Sequence, residues 1–569
     1  MYIIGIHYSG LTASAALIRD GHLVAACPEE RLDRQHYSRG FPVRAIRYCL
    51  DAAGITFEKV DALAMGFNPG INVAARFRGG LSERVPYPGH WLYAIPNQVF
   101  NRLHPAQVRH TEQVFRLDGS KSFDVHYLTH HDCHAAMAYY GSPFERAAIL
   151  TVDQYGENTC TSWKTGEGNR IETLRDMAFP NTLGGFYSAL TQFLGYNPDA
   201  DEWKVMGMSA YGDPKRFAEA FRKLYTLREE GQYQLNYEYL NHYNFESGKM
   251  YGEKFRELFG EPRRGDDDLE QKHYDIAAGA QHAFEELLFH CLRHLHEVTR
   301  CPNLCLSGGA LMNSVANGAV LRNTPFQNLF VPFSPDDTGN CIGSALQLYY
   351  GVLGHPRQAI DLSHSYWGPG YSQQEIESTL KKYGIPYRTS TNACEETAVL
   401  LAEGHVVGWF QGRMEFGQRA LGNRSILADP RDPKMKEKIN AAVKYREPYR
   451  PFAPSILEEH VREYFDIEPQ TLVPFMEKVY PILPEKRAVI PAVTHNDGSG
   501  RLQTVSKKTN PLYHALLSAF EKKTGVPVVL NTSFNVKGEP IVCSPTDAIR
   551  TFYTSGLTTL VMGNCIIRK

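Results

Sequence analysis

The chain opens on a short apolar run, Ile3–Ile6, then turns polar over His7–Thr12 and apolar again over Ala13–Ile18, closed by Arg19-Asp20-Gly21. Apolar runs of this length bounded by turn residues predict a buried β-hairpin. The pattern returns once: Ile149–Val152 predicts a strand, Asp153-Gln154-Tyr155-Gly156-Glu157 a turn, and Asn158–Trp163 a second strand. Laid over each other, the copies match His7 with Asp153 and Gly10 with Gly156. A glycine-containing turn of this kind can bring backbone N–H groups to a phosphate.

Such a hairpin, repeated once, is how folds of the actin/hexokinase (ASKHA) class grip nucleotide phosphates, although two unrelated hairpins would give the same pattern. Two strand–loop–helix units follow. Leu304–Leu306 leads into Ser307-Gly308-Gly309-Ala310 and a helix through Asn313 and Asn317, and Asn328–Val331 leads through Pro332–Asn340 into a helix over Cys341–Tyr350. Glycines after a strand admit a ligand to the backbone, and the helix start beyond them favours an anion. Upstream, Tyr274–Thr299 keeps a helical apolar period and predicts a core helix. Gly351–Tyr366 turns to Gly, Pro, His and Ser, as a linker does. A new unit then begins, with helices over Gln373–Tyr383 and Glu395–Glu403 and strands over Val406–Phe410 and Val526–Leu530. The expectation is an α/β protein of two domains, 1–355 and 361–569.

Composition narrows the class. With 569 residues, 43% hydrophobic and 21% charged, the chain has the balance of a soluble enzyme too long for one core. MYIIGIHYSG reads as a buried strand, not a signal peptide, and no run of eighteen apolar residues predicts a membrane span. A cytoplasmic location is expected. The eleven cysteines form no C-x-x-C pair, which disfavours a zinc ribbon, a redox motif and a disulfide framework. A net charge of −2 gives no general affinity for nucleic acid. The charge is uneven, at about −6 over residues 1–360 and about +4 over 361–569, which suits an anion-handling C-terminal half.

One candidate metal site stands out. In Thr129-His130-His131-Asp132-Cys133-His134, His130 and His134 share one helical face, a turn apart. Chance supplies about one H-x-x-x-H among 22 histidines, and the chain has three, at 126/130, 130/134 and 290/294. Asp153 and Asp337 are the carboxylates that could complete the 130/134 pair. Two imidazoles and two carboxylates suit Fe(II), Mn(II) or Zn(II), with Lewis-acid chemistry at any open position.

A second candidate lies in residues 411–450, where ten of forty residues are Lys or Arg. Arg413, Arg419, Arg424, Lys444, Arg446 and Arg450 are interspersed with Gly412, Gly417 and Gly422. Guanidinium forks match phosphate oxygens, so this cluster predicts a triphosphate or carbamoyl-phosphate site, whereas Lys434–Lys438 reads as a solvated surface.

Three runs in this half carry a resemblance. Gly412-Arg413-Met414-Glu415-Phe416-Gly417-Gln418-Arg419-Ala420-Leu421-Gly422-Asn423-Arg424-Ser425, Arg450-Pro451-Phe452-Ala453-Pro454-Ser455 and Asn531-Thr532-Ser533-Phe534-Asn535 resemble the signatures of the bacterial O-carbamoyltransferases. These include the nodulation-factor, cephamycin, novobiocin and tobramycin enzymes of natural-product and antibiotic biosynthesis. The resemblance implies a C-terminal α+β, YrdC-like twisted-sheet domain that makes carbamoyl-adenylate from carbamoyl phosphate and ATP with Mg2+. Lys444, Arg419, Arg450 and Arg501 would hold the phosphates and carbamoyl group, with Arg424 and Arg446 as further ligands to them, and Asn531 and Ser533 would close the pocket. It further implies transfer to a hydroxyl of a small-molecule acceptor in the N-terminal domain. There His130, His134, Asp153 and Asp337 would bind iron(II), with manganese or zinc as alternatives. Gly308, Gly309, Asn313, Asn317 and Lys204 would sit at the nucleotide. The acceptor is not legible, and a homodimer is one assembly open to the chain.

One departure matters. Family members carry His-Asp where this chain has Leu11-Thr12, so His7 becomes the candidate to take over that role. The stretch Asn68–Arg109, with Trp91 and Tyr93, is a candidate acceptor-facing insertion. A tRNA threonylcarbamoyl-modifying enzyme would need a broad basic face. A hydrogenase-maturation carbamoyltransferase would bring C-x-x-C pairs, and a sugar kinase leaves residues 361–569 without a purpose. A non-catalytic nucleotide-binding descendant is the remaining rival.

Overall fold

The computed structural model describes residues 1–8, 12–68, 110–114, 123–244, 247–447, 449–469 and 471–569. Gly10, Leu11 and all of the candidate insertion beyond Asn68, with Trp91 and Tyr93, lie outside the described residues. The chain forms two compact units. The first comprises Met1–Glu29, Tyr37–Met312 and Val320–Leu362; the second comprises Glu30–His36, Asn313–Ala319 and Ser363–Lys569.

In the first unit the strands are β1 (Tyr2–Tyr8), β2 (Ala13–Arg19), β3 (His22–Pro28), β4 (Ala62–Met65), β5 (His110–Val114) and β6 (Phe123–Tyr127). They form one sheet in the order β3-β2-β1-β4-β6-β5. A second sheet is built from β7 (Arg146–Gly156), β8 (Thr159–Glu167), β9 (Arg170–Ala178), β10 (Asn303–Ser307) and β11 (Asn328–Phe330). Its order is β11-β10-β7-β8-β9. In each sheet an antiparallel three-stranded meander is extended by two parallel strands on the side of its first strand. This repeated order is the duplication expected of the actin/hexokinase class, and the two predicted hairpins are its starting points.

Each parallel extension feeds a helix. After β6 comes α1 (His130–Gly141), buried on every side but Asp132, and after β11 comes α2 (Asn340–Leu346), wholly buried. A helix with no polar face belongs inside a layered core. The two cross at Gly343, where an added Cβ would stand 2.0 Å from the Cys133 carbonyl oxygen. Backbone approach this close requires glycine. It also draws the start of α2 towards the start of α1, where the candidate metal ligands lie.

The second unit is a mixed sheet of eight strands, in the order Arg388–Thr389, Cys565–Arg568, Thr559–Met562, Val407–Phe410, Arg424–Ala428, Val528–Ser533, Ala453–Leu457, Gln503–Val505. Alternate residues serve two cores. Trp409 and Leu427 pack with Leu401, Leu516 and Phe520, while Phe410 and Ile426 pack with Leu380, Ala548 and Phe552. Helices therefore cover both faces: Ala393–Ala402 and Pro511–Thr524 on one, Gln373–Lys382 and Pro545–Tyr553 on the other.

The helix crossing gives a direct test. Gly343→Ala forces the two backbones apart and should cost roughly 2–3 kcal/mol, as overpacking of a tight core does. Thermal unfolding of the purified chain measures it.

Candidate functional site

Four side chains of the first unit converge. His130 and His134 come from the first turns of α1, Asp153 from β7 and Asp337 from the loop before α2. One donor atom from each lies within 4.8 Å of all the others. Asp153 Oδ2 is 3.0 Å from Nε2 of both histidines, and Asp337 Oδ1 is 3.2 Å from His130 Nε2 and 3.4 Å from His134 Nε2. Local structure explains the aim of each group. The β7–β8 register breaks between Val152 and Gly156, which takes Asp153 out of the ladder. Gly156 packs on the His130 ring, where a Cβ would stand 2.4 Å from Cδ2. In the pair Asp336-Asp337, Asp336 is tied to the hydroxyls of Ser334 and Thr338, leaving Asp337 to face the histidines.

The donor set fits a divalent cation. The two Nε2 atoms are 3.0 Å apart and both face carboxylate oxygens, so a single proton cannot satisfy all four atoms at once. Burial opposes charge on His130, yet Asp337 and Asp153 overcome it and push its pKa well up. His134 moves the same way, with burial and His130 opposing and the carboxylates prevailing. Such a centre attracts a cation, and the lone pairs suit Fe(II), Mn(II) or Zn(II).

Neighbouring groups sort into distinct tasks. His131 is structural: its ring nitrogens lie 2.7 Å from Thr151 Oγ1 and 2.9 Å from the Thr159 carbonyl, and burial drives its pKa down to about 3. Asp132 pairs with Lys164 at 2.7 Å. His7 is buried with Nε2 3.4 Å from Asp337 Oδ2, so it joins the cluster through that carboxylate. Two participants were not legible as site residues. Glu157 accepts from the backbone N–H of His130 (3.0 Å) and Asn68 (2.8 Å), and burial raises its pKa to about 7. Asn340 places Nδ2 3.2 Å from His134 Nε2 and 3.4 Å from His130 Nδ1. Glu157 lies in the quoted hairpin turn, but Asn340 has no local signal.

The expected nucleotide residues are divided. Gly308 donates its N–H to the Pro335 carbonyl (2.7 Å) and packs on the Val152 backbone, whereas a Cβ on Gly309 would stand 2.9 Å from Asp153 Oδ1, so Gly309 adjoins the metal cluster. Asn313 and Asn317 belong to the second unit, where Asn317 Nδ2 donates to the Glu477 carbonyl (3.1 Å). Lys204 pairs with Asp201 at 2.9 Å and lies over the Tyr196 and Trp203 rings.

The second unit gathers cations. Lys444 ends a π-helical turn, Asn440–Lys444, and its buried ammonium lies against four protein acceptors, the Asn535 side chain (2.7 Å) and carbonyl (3.1 Å) and the Ser533 hydroxyl (3.2 Å) and carbonyl. Burial, with Arg446 and Arg450 adding repulsion, holds its pKa well below the usual lysine range. Burial and Arg450 bring Arg446 down to about 9. Arg501 is depressed strongly, first by burial and then by Arg419, Arg446 and Arg450. Arg446 Nη2 and Arg501 Nε are buried without hydrogen-bond partners among the described residues. Adjacent buried cations with spare N–H groups are suited to an anion.

Other members of the motifs hold the pocket. Glu415 Oε1 accepts from the backbone N–H of Leu421 (2.7 Å), Asn423 (2.7 Å) and Arg424 (3.2 Å), which shapes the loop carrying Arg419. Arg424 is fully buried over the Phe410 ring, and its guanidinium donates to the carbonyls of Gln411, Asn423, Cys543, Pro369 and Gly412. It is thereby committed to the fold, not presented to phosphate. Arg413 likewise donates to the carbonyls of Gly368 (3.1 Å) and Trp367 (2.7 Å). Asn531 sits at the sheet centre, with Nδ2 donating to Gln503 Oε1 (3.0 Å).

A duplicated α/β unit with a His2Asp2 cluster, joined to a mixed-sheet unit with a cationic pocket, defines the class of protein. Residues 2–346 match the carbamoyltransferase N-terminus family and residues 398–569 the carbamoyltransferase C-terminus family, and the chain belongs to the carbamoyltransferases. It is 38% identical to the nodulation protein NolNO of Sinorhizobium fredii, over 98% of this chain and 78% of that one. It is 40% identical to the nodulation protein NolO of Bradyrhizobium diazoefficiens, over 78% of this chain and 79% of that one. An uncharacterized Synechocystis protein is 37% identical over 100% of this chain and 97% of its own. Among solved structures, HypF of T. kodakarensis is similar at a TM-score of 0.32 and 11% identity, over 64% of this chain and 48% of that one. At that score the likeness carries no argument. Among the described residues, no helix is long and apolar enough to cross a membrane.

The cluster predicts its own titration with metal. His134→Ala or Asp153→Asn should reduce bound metal, measured by elemental analysis after exposure to Fe(II), Mn(II) or Zn(II), by at least about tenfold. Protons compete for His130 and His134, whose protonated forms the carboxylates favour, so metal affinity in the intact protein should fall as pH is lowered.

Proposed function

We propose that the protein is an ATP-dependent O-carbamoyltransferase working in two half-reactions, one in each unit. The observation that carries this reading is the pairing of an anion pocket with spare buried N–H groups and a His2Asp2 cluster in one chain of this family. The second unit is read as a YrdC-like domain, with 361–569 as its span and 1–355 as the transfer domain. Its substrates are carbamoyl phosphate and ATP. For a carbamoyl oxygen to reach the α-phosphorus, the phosphoryl group of carbamoyl phosphate must first leave to water as inorganic phosphate. Carbamate then attacks the α-phosphorus, pyrophosphate departs with the broken P–O bond, and carbamoyl-adenylate forms.

Every oxyanion in that sequence needs a positive partner. Lys444, Arg419, Arg450 and Arg501 hold the phosphates, Arg446 adds charge beside them, and Mg2+ accompanies the triphosphate. Positioning and charge neutralisation are the main demands of displacement at phosphorus. Ser533 and Asn535 fix the Lys444 ammonium, while Asn531 ties its own strand to Gln503.

In the first unit the carbamoyl group passes to a hydroxyl of a small-molecule acceptor, and AMP leaves. A bound metal would supply Lewis-acid polarisation of the carbamoyl carbonyl or a hold on the adenylate phosphate. His130, His134, Asp153 and Asp337 would hold it, with iron(II) the first choice. Gly309 lets its backbone approach the Asp153 carboxylate closely, where a Cβ would stand 2.9 Å from Oδ1. His7, whose Nε2 is 3.4 Å from Asp337 Oδ2, would orient the acceptor or take its proton.

The two half-reactions separate by mutation. Pyrophosphate exchange into ATP should require carbamoyl phosphate, and Lys444→Met should lower it at least about a hundredfold. His134→Ala and His7→Ala should leave exchange near wild type but impair transfer, so that carbamoyl-adenylate accumulates and hydrolyses. Absence of exchange in the wild-type chain would return the protein to a nucleotide-binding role; exchange lost in His134→Ala would refute the division of labour.

A further inference from the structure

His495 takes no part in the assignments above, yet it stands beside the cationic pocket. It lies in the turn before the short strand Ser499–Arg501. Its ring Nδ1 is 3.1 Å from Ser499 Oγ, and Ser499 Oγ in turn donates to Asp497 Oδ1 at 2.6 Å. A hydroxyl carries one proton, and that of Ser499 is committed to Asp497. Ser499 Oγ therefore accepts from Nδ1, so Nδ1 bears the imidazole proton and Nε2 is a bare lone pair.

That lone pair is conspicuous in its surroundings. His495 Nε2 is buried and has no hydrogen-bond partner among the described residues. Burial drives the imidazole pKa down to about 4; Asp497 opposes this, and Arg501 and Lys436 reinforce it, so the ring stays neutral. Arg501 is the same guanidinium that feels Arg419, Arg446 and Arg450. Arginine and lysine offer only donors, so among the described residues the neighbourhood is rich in donors, and His495 Nε2, like the amide Oδ1 of Asn531, is a buried acceptor left without one. A buried acceptor left unpaired is costly, which points to a ligand donor.

Phosphate oxygens cannot fill that role, because they accept. The carbamoyl group differs from other small acyl groups in carrying an amino group. We infer that His495 Nε2 accepts a hydrogen bond from the carbamoyl –NH2, making His495 the residue that selects carbamoyl phosphate over other acyl phosphates. The inference rests on the proposed function of this pocket and adds the basis of its selectivity. Acetyl phosphate is the natural control, since a methyl group replaces the amino group at nearly constant size and charge. Sites built around a substrate N–H reject analogues lacking it far more strongly than sites that read size alone.

The test uses the full chain in carbamoyl-phosphate-dependent pyrophosphate exchange, with acetyl phosphate as inhibitor. His495→Asn keeps a donor for Ser499 but removes the Nε2 acceptor, while His495→Gln carries an acceptor to about the Nε2 position. For His495→Asn, the carbamoyl-phosphate KM should rise about tenfold or more, with acetyl-phosphate inhibition and the ATP KM unchanged within about twofold. His495→Gln should recover part of the loss. Protection by inorganic phosphate in thermal unfolding, retained in both variants, reports an intact pocket. Equal weakening towards both acyl phosphates, loss of that protection, a change confined to the ATP KM, or no change at all would each overturn the inference and leave the exchange activity standing. A wild-type chain without exchange would overturn the proposed function, and this inference with it.

Discussion

Burial of like charges is the constraint on which the rest of this protein depends. In the second unit, Lys444, Arg446 and Arg501 are withdrawn from water beside one another, and burial and mutual repulsion both work against their charge. In the first, Asp153 and Asp337 lie side by side, and although burial and each other's charge oppose their ionisation, the two histidines prevail and hold both carboxyls below the usual carboxylate range. Withdrawing either set of groups from water carries a desolvation cost. The natural complement of each set is a ligand of opposite sign: an anion in one unit and a cation in the other. Placing both in one chain is an economy of design, because the anionic substrates and the metal each relieve a burial cost already built into the fold.

The scaffolds meet this constraint differently. The metal ligands come from two buried helix starts, a register break in a strand and a loop, held together by a helix crossing that glycine allows. Their positions are set by main-chain packing, and the Gly156 backbone lies directly against the His130 ring. The cationic pocket is held by polar ties instead. Glu415 gathers three backbone N–H groups of the arginine loop, and Arg424 fastens it to five carbonyls. Two of the most conspicuous charges in the motif therefore build the pocket without facing its ligand.

Legibility followed the range of the interactions. The hairpins, the helix starting at His130 and the H-x-x-x-H pair were readable because each is fixed by neighbours within a few residues. The structure brings Asp153 and Asp337 to that pair, and it separates His131, bonded to Thr151 and Thr159, from its neighbours on either side. Arg424 and Arg419 look alike in the sequence, five residues apart, yet Arg424 lies wholly inside the fold. Nothing local tells one guanidinium from the other. His495 shows the same limit, since its role depends on Ser499 and Asp497 fixing the tautomer and on cations distant in the chain.

The sequence by itself determined the periodicity of strands and helices, the duplicated hairpin, the arginine–glycine loop and membership of the carbamoyltransferases, because these are properties of residue order. Only the tertiary structure decided that the four metal-ligand candidates converge, which arginines are structural, and where a neutral imidazole stands among cations. Those outcomes depend on burial and on hydrogen-bond partners from remote segments, and desolvation acts on a group's final surroundings, not on its neighbours in the chain.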